Sequence, residues 1–525
     1  MESIQGITDG DPPAPTPKPA TTPEQPTITN GTCSPSTHPN IIIAGAGPAG
    51  LLLALLLTSP SPISPSSPTP SPPLPIKITI LESYPSLDHR LRATQYGVPA
   101  TRVFAQVPGL LPRIRAASIE SFPQICWRRT RGSQRGATDP NNSSSDSNGT
   151  GERNDEAGPG KRTGEDHEIL VTVDLSVIKD HEERMVILPL NKLTEIMYGM
   201  LTERKAVGQA DVEILFEHEV LGVGQAIGDQ HAEGKAWVDV RVKGDGSRKE
   251  HDRGEGGAGG GEVEHMKFEE RIQRFEASYI IGCDGSRSAV RKSLFGHHWP
   301  GVTFDCHLSV QNVYYPGFET HNWTGGNYLI DPEYWGLIAN RGKGGLWRVT
   351  YGDNTVGLTD AEYELRREKA FEVMLPGHPK AGEYKVEQTD HFRTHNRCVD
   401  SMRVGRVLLV GDAAHVNNPW GGYGCMSAVL DAGGLAQCLR GLLEGKAGEE
   451  ILDLYAEVRR EKFLQYVDRR SRMNYERVRN EDPGRVVRED KLMGILRGLE
   501  GDAEGTKEFL LKTSSIEYDF TQHYR

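Results

Sequence analysis

Ile41-Ile42-Ile43-Ala44-Gly45-Ala46-Gly47-Pro48-Ala49-Gly50 is the stretch that decides the fold of this chain. A β-branched run leads into three glycines spaced G-x-G-x-x-G, and an unbroken Leu/Ala run continues from Leu51 to Leu57. The pattern predicts a buried strand, a tight turn and a helix start, the context in which such glycines hold a phosphate. Gly45 permits the turn, Gly47 lets a pyrophosphate approach the backbone, and Gly50 lets helix and strand pack closely. Pro48 and Ala49 open the helix, whose N-terminus offers free N–H groups to phosphates. Taken alone, the motif also fits a plain tight turn.

Working outward, a ribose-binding carboxylate is expected at the end of the next strand, about 20 residues on. Glu82 ends the apolar run 76–81 but lies well beyond that distance from Gly50. Segment 58–75, almost entirely Ser and Pro, accounts for the excess, falling where extra length is harmless. A second strand–turn–helix unit reads Tyr279-Ile280-Ile281-Gly282-Cys283-Asp284-Gly285-Ser286. A third reads Val407-Leu408-Leu409-Val410-Gly411-Asp412-Ala413-Ala414-His415. It runs on through Asn418-Pro419-Trp420-Gly421-Gly422-Tyr423-Gly424-Cys425-Met426. Asp412 stands at the C-terminal end of a buried strand, where α/β sheets bind ligands. The helix that follows has an N-terminal dipole suited to the negative charge of a reduced flavin. A strand, turn and cap would explain either unit singly; three in this order make one FAD site.

The rest of the chain sets limits. At 525 residues it holds one large or two to three ordinary domains. A net charge of -12 argues against nucleic-acid or anionic-membrane partners. Seven scattered cysteines without a C-x-x-C pattern fit reduced thiols in the cytoplasm, with neither a disulfide framework nor a metal site. The N-terminus lacks a signal-peptide pattern, and the apolar run 41–57 is too short and too glycine-broken to span a membrane.

The expected architecture is α/β: a Rossmann-like FAD-binding domain interleaved with a mostly antiparallel substrate-binding sheet, then a helical C-terminal part. Residues 1–38 read as disordered, and the FAD-binding parts as 39–115, 186–303 and 401–445. Substrate-domain strands fall in 116–185 and 304–400, and the helical region in 446–525. Polar, Gly-rich stretches 132–167 and 243–266 read as surface insertions. Within the substrate part, 303–315, 328–339 and 346–351 have strand composition. Alternating Arg and Glu in the tail reads as a solvated face.

With these motifs in place, residues 40–470 resemble the class A flavoprotein monooxygenases of the para-hydroxybenzoate hydroxylase type, above all the fungal enzymes of secondary metabolism. The resemblance implies FAD as cofactor, NAD(P)H as transient reductant and O2 as co-substrate. It implies oxygenation through a flavin C4a-hydroperoxide. By that resemblance Glu82 holds the adenosine ribose and Asp412 a ribityl hydroxyl. Asp284 and Gly285 serve the diphosphate and the nicotinamide cofactor. Arg102 or Arg92 matches an arginine after the second strand, and Gly411, Gly422, Gly424 and the N–H groups of Cys425 and Met426 surround the flavin. Pro419 shapes the loop above it, and His415 is a candidate base. Relatives carry Gln or Arg near Asn191, and Asn in place of Met426.

The implied activity is hydroxylation or epoxidation of an aromatic, polyketide or indole-type small molecule. Trp323, Tyr328, Tyr334, Trp335, Trp347 and Arg348 are candidates for an aromatic pocket, or for ordinary strand packing. Arg341 and Lys343, among glycines, read as a hairpin turn. A halogenase or prenyl reductase shares the fold, though no W-x-W-x-x-I-P motif occurs. An FAD-binding regulatory protein without turnover is the reading from another class. Oligomeric state is not legible.

Overall fold

The run Ile41–Ile43 becomes the strand Asn40–Ala44, at the centre of a six-stranded sheet. The sheet order is Arg403–Val404, Val407–Leu409, Tyr279–Gly282, Asn40–Ala44, Lys77–Leu81 and Asp211–Leu215. All neighbours are parallel except the first pair. Ile42 sits between Ile280 and Thr79, buried on both faces, as the continuous apolar runs of a parallel sheet require. The helix Pro48–Leu57 is buried at every residue from Ala49 onward. It is apolar all round because helices Leu190–Ala206 and Tyr423–Leu443 pack on it. This computed structural model describes residues 29–30, 38–60, 73–90, 95–119, 122–130, 167–226, 235–243, 271–342, 345–512 and 515–525.

An eight-stranded sheet forms the second layer. Its order is His415–Val416, Lys385–Cys398, Gly301–Tyr314, Leu346–Asp353, Gly336–Asn340, Gly326–Leu329, Gln124–Thr130 and His167–Asp174. It is antiparallel apart from the pairing of Gly326–Leu329 with Gln124–Thr130. One face packs Trp347, Val349 and Tyr351 on the helix Asp360–Met374. The other packs Trp335 and Ala339 on Trp420 and the tail residues Tyr475 and Met493. The stretch 328–339, read as having strand composition, divides between the strands Gly326–Leu329 and Gly336–Asn340. Asp331 Oδ1 accepts the N–H groups of Glu333 and Tyr334 at 2.9 and 2.8 Å, and the chain reverses there.

A four-stranded sheet of Thr29–Asn30, Arg271–Ala277, Ala236–Val242 and His218–Gln225 branches off within the region expected to be FAD-binding. Thr29–Asn30 corrects the expectation of disorder through residue 38, because it pairs in parallel with Gln273 and Arg274. Most of the expected insertions, 61–72, 131–166 and 244–270, lies outside the described residues, as do 1–28 and 31–37. Their ends are informative: Thr130 pairs with His167 and Val242 with Arg271, so both long insertions join the strands of antiparallel pairs. The tail's arginines are not uniformly solvated. Arg459 and Arg477 are buried, paired with Asp431 and Asp490. No helix among the described residues is long and apolar enough to cross a membrane.

Candidate flavin site

The glycines of the first turn divide into two kinds. A Cβ on Gly45, at φ +102°, would meet the Cys283 carbonyl oxygen at 2.5 Å, and one on Gly50 would meet the Gly45 oxygen at 2.2 Å. Gly47 has nothing within 4 Å of that position. Two glycines serve packing and one leaves backbone open, the division a diphosphate turn needs. The Gly45 N–H donates to Leu81 O at 2.7 Å, closing the turn on the second strand. Glu82 Oε2 accepts the Ala46 N–H at 2.8 Å, so the carboxylate reaches the turn despite the long connection before it.

The second segment meets the first through Cys283. Asp284 Oδ2 accepts the N–H groups of Ala289 and Val290 at 2.7 and 3.2 Å, capping the helix Ala289–Phe295. Its Oδ1 is buried with no partner among the described residues. Burial raises its pKa against the hydrogen bonds it accepts. Gly285, at φ +73°, has open space beside it. An unmatched acceptor next to bare backbone fits the hydroxyl and phosphate groups of a dinucleotide.

The third segment docks through Val410, whose N–H donates to Gly282 O at 3.0 Å. Gly411, at φ +60°, leaves no room for a Cβ, which would lie 2.7 Å from the Ala428 Cβ. Asp412 follows on an exposed turn. Burial, then the charge of Asp412, push the Cys425 thiol up to about 12, which places that carboxylate near the start of the helix Tyr423–Leu443. Gly422 caps this helix at φ +68° with nothing within 4 Å. The N–H groups of the helix's first turn, Tyr423, Gly424 and Cys425 among them, have no intrahelical acceptor. The Met426 side chain borders Gly97, with Sδ 3.7 Å from where a Cβ there would stand. The loop before the helix is tied down. Pro419 O accepts the Gly422 N–H at 3.1 Å, and Asn418 N–H donates to Asn396 Oδ1 at 2.7 Å.

His415 is not poised as a base. Its Nε2 is 2.7 Å from Asp431 Oδ2, its ring stacks on Phe463 at 4.4 Å, and it is 2% exposed. A His at a helix-entry loop has satisfied a buried carboxylate instead. Arg102 is likewise engaged elsewhere, with Glu183, Glu517 and the Leu511 carbonyl taking its guanidinium donors. Arg92 lies outside the described residues. Asn191 sits in the first turn of Leu190–Ala206, where its carbonyl accepts the Thr194 hydroxyl at 2.9 Å.

The aromatic candidates separate by face. Trp323 and Trp347 pack beneath the sheet with Phe318, the side that carries Asp360–Met374, and Tyr334 borders the same cluster. Tyr328 stacks on Trp127 at 4.3 Å, and Trp335 meets Trp420 at 5.0 Å, on the opposite side. Arg348 shares that second side with two residues the motifs did not flag, Arg341 and Tyr96. Among the described residues no group of side chains is suited to hold a metal ion, and the six described cysteines are unbridged.

Comparison with known proteins agrees with this geometry. A family model described as "FAD binding domain" matches residues 39–470. Para-nitrophenol 4-monooxygenase of Pseudomonas sp. (strain WBC-3) is 28% identical over 458 residues, 87% of this chain and 91% of that protein. Aklavinone 12-hydroxylase RdmE of Streptomyces purpurascens is 33% identical over 215 residues, 39% of this chain and 38% of that protein. The crystal structure of p-nitrophenol 4-monooxygenase PnpA from Pseudomonas putida DLL-E4 superposes with a TM-score of 0.67 at 25% identity, covering 90% of this chain and 97% of that one. With its three glycine-bearing turns gathered at the C-terminal ends of three neighbouring parallel strands, the chain belongs to the FAD binding domain family and is a FAD-dependent monooxygenase.

Proposed function

We propose that the protein hydroxylates or epoxidises an aromatic small molecule of secondary metabolism, consuming NAD(P)H and O2. The observation that carries this is the near full-length likeness to para-nitrophenol 4-monooxygenase, together with open backbone at Gly47, Gly285 and Gly422. When bound, FAD supplies the electron transfer and oxygen activation that side chains cannot. The chain's own part is placement. Gly45, Gly47, Pro48, Ala49 and Gly50 receive the diphosphate, Glu82 the adenosine ribose, Asp284 and Gly285 the diphosphate side and nicotinamide, and Asp412 the ribityl chain. Gly411, Gly422, Gly424 and Cys425 border the ring, Met426 packs at its edge and Pro419 shapes the loop. Arg102 and His415 are left out of this assignment, given their buried and part-buried ion pairs. A reducing compartment, the cytoplasm, fits the unbridged cysteines.

Chromatography of the cofactor released on denaturation is expected to give FAD, since only a dinucleotide needs Glu82 behind a diphosphate turn. Incubation with candidate aromatics is expected to yield one oxygenated product per NAD(P)H consumed in a coupled reaction. Release of FMN alone would overturn the cofactor assignment, and NAD(P)H oxidation without oxygenated product from any aromatic would overturn the activity.

A further inference from the structure

The helix Val98–Ala105 joins the flavin loop to a cavity of about 440 Å³. Its N-cap, Gly97, borders Met426 at the start of the flavin-loop helix. Ala105, at the other end, lines the cavity, about 12 Å along the axis by the helical rise. The cavity lies between this helix, the helix Leu110–Ala117 and the segment at Glu182 and Glu183. A volume of this size suits a small organic molecule. Ala105, Val107, Leu111 and Pro112 give it apolar walls, and two arginines bring charge to it.

The two arginines differ in what they hold. Arg102 donates from Nε and Nη2 to Glu183 at 2.9 and 2.7 Å, and from Nη1 to Glu517 at 3.1 Å. Its Nη2 also reaches Leu511 O at 2.9 Å, so each of its nitrogens is engaged. Arg115 has no such set. Its Nε and Nη2 are shut off from solvent and find no acceptor among the described residues. Burial lowers its pKa, Arg184 lowers it further, and the exposed Glu182 offsets this in part. A guanidinium keeps its proton, and buried donors of this kind are satisfied by something. A carboxylate matches the guanidinium fork. Arg115 is part-exposed, so its guanidinium can turn to meet one in the cavity it lines. The nearby charges of Glu182 and Glu183 disfavour a doubly charged phosphate, and the apolar walls call for an apolar body.

We propose that this cavity is a second binding site, separate from the flavin, for a small organic acid whose carboxylate meets Arg115 and whose apolar body lies on Val107, Leu111 and Pro112.

The test is calorimetric binding to the FAD-loaded protein without NAD(P)H. The probes are octanoate and its neutral match octanamide, aliphatic so as to keep them apart from a site for aromatics. Octanoate is expected to bind with one molecule per chain and about tenfold more tightly than the amide. Arg115→Gln is expected to bring the two within about twofold of each other. Ala105 is exposed, so Ala105→Trp fills the cavity without entering the core. It is expected to weaken both probes at least tenfold while FAD content and Tm stay near wild type. Each variant reports on a different part of the site, and either carries the test should the other not fold. No binding of octanoate, equal binding of acid and amide, discrimination that survives Arg115→Gln, or binding that survives Ala105→Trp would overturn the proposal.

Discussion

Asp431 accepts hydrogen bonds from the Gly411 N–H at 3.0 Å, His415 Nε2 at 2.7 Å and Arg459 Nε at 2.7 Å, with no exposure of its own. Burial would raise its pKa, but the charges and hydrogen bonds of His415 and Arg459 win and hold the carboxyl well below its ordinary 3.8. A depressed carboxylate stabilises the fold fully above its unfolded value and loses that contribution as pH falls through the native one. Asp431→Asn leaves Arg459 buried without its anion, which costs about 3 kcal/mol. A clear fall in Tm is expected by calorimetry at neutral pH; an unchanged Tm would mean that the cluster contributes nothing. His415→Gln separates a structural role from a catalytic one. Thermal stability is expected to drop while kcat per bound FAD stays near wild type, and a large kcat loss at unchanged Tm would restore His415 as a base.

At the scale of elements, the inserted segments are the point of interest. Thr130 and His167 face each other across the Gln124–Thr130 and His167–Asp174 pair, and Val242 and Arg271 across theirs. Joining each pair by a short turn leaves every strand in register. Loop closure depends weakly on length, so removing 132–166 or 244–270 is expected to change stability by about 1 kcal/mol or less. Bound FAD per chain, read from absorbance, is expected to stay near one; a colourless or insoluble deletion protein would show that the segment packs on the core. His167 itself must be kept. It is buried and meets Trp323 edge-on at 5.2 Å, so a deletion running through it damages the sheet. The π-helical turn Phe463–Asp468 is another placed element, setting Phe463 against His415 and Asp468 against Asn396.

For the whole molecule, Asn396 is where three parts meet. It lies on the substrate-sheet strand Lys385–Cys398, accepts the Asn418 N–H of the flavin loop at 2.7 Å, and donates to Asp468 Oδ1 and Ser471 Oγ of the tail, each at 2.8 Å. Asn396→Ala leaves the Asn418 N–H without its acceptor, and the loop loses its tie to the sheet. The protein is expected to keep FAD but to waste reducing equivalents, because a looser site admits water. Hydrogen peroxide per NAD(P)H is expected to rise severalfold over wild type with the true substrate. Peroxide yield equal to wild type would show that loop position does not govern coupling.

What the chain discloses in one dimension is what depends on neighbours in sequence. A β-branched run, a glycine turn and an apolar helix are local patterns, so the strand Asn40–Ala44, the open Gly47 and the order of the three flavin-site turns were all legible. So was Glu82, because a strand end is a local feature even when the connection before it is long. The two-strand division around Asp331 was also local, and the Asp-Pro pair carried the signal that composition alone blurred. Roles set by distant partners were not legible. His415 resembled a base until Asp431 and Arg459 closed on it, and Arg102 resembled a cofactor ligand until Glu183 and Glu517 reached it from elsewhere in the chain. Arg341 sat among glycines like any turn residue, and only strand pairing decided that it shares a face with Arg348 behind Tyr96. Burial and charge compensation are sums over contacts between remote segments, and tertiary structure alone supplies those contacts.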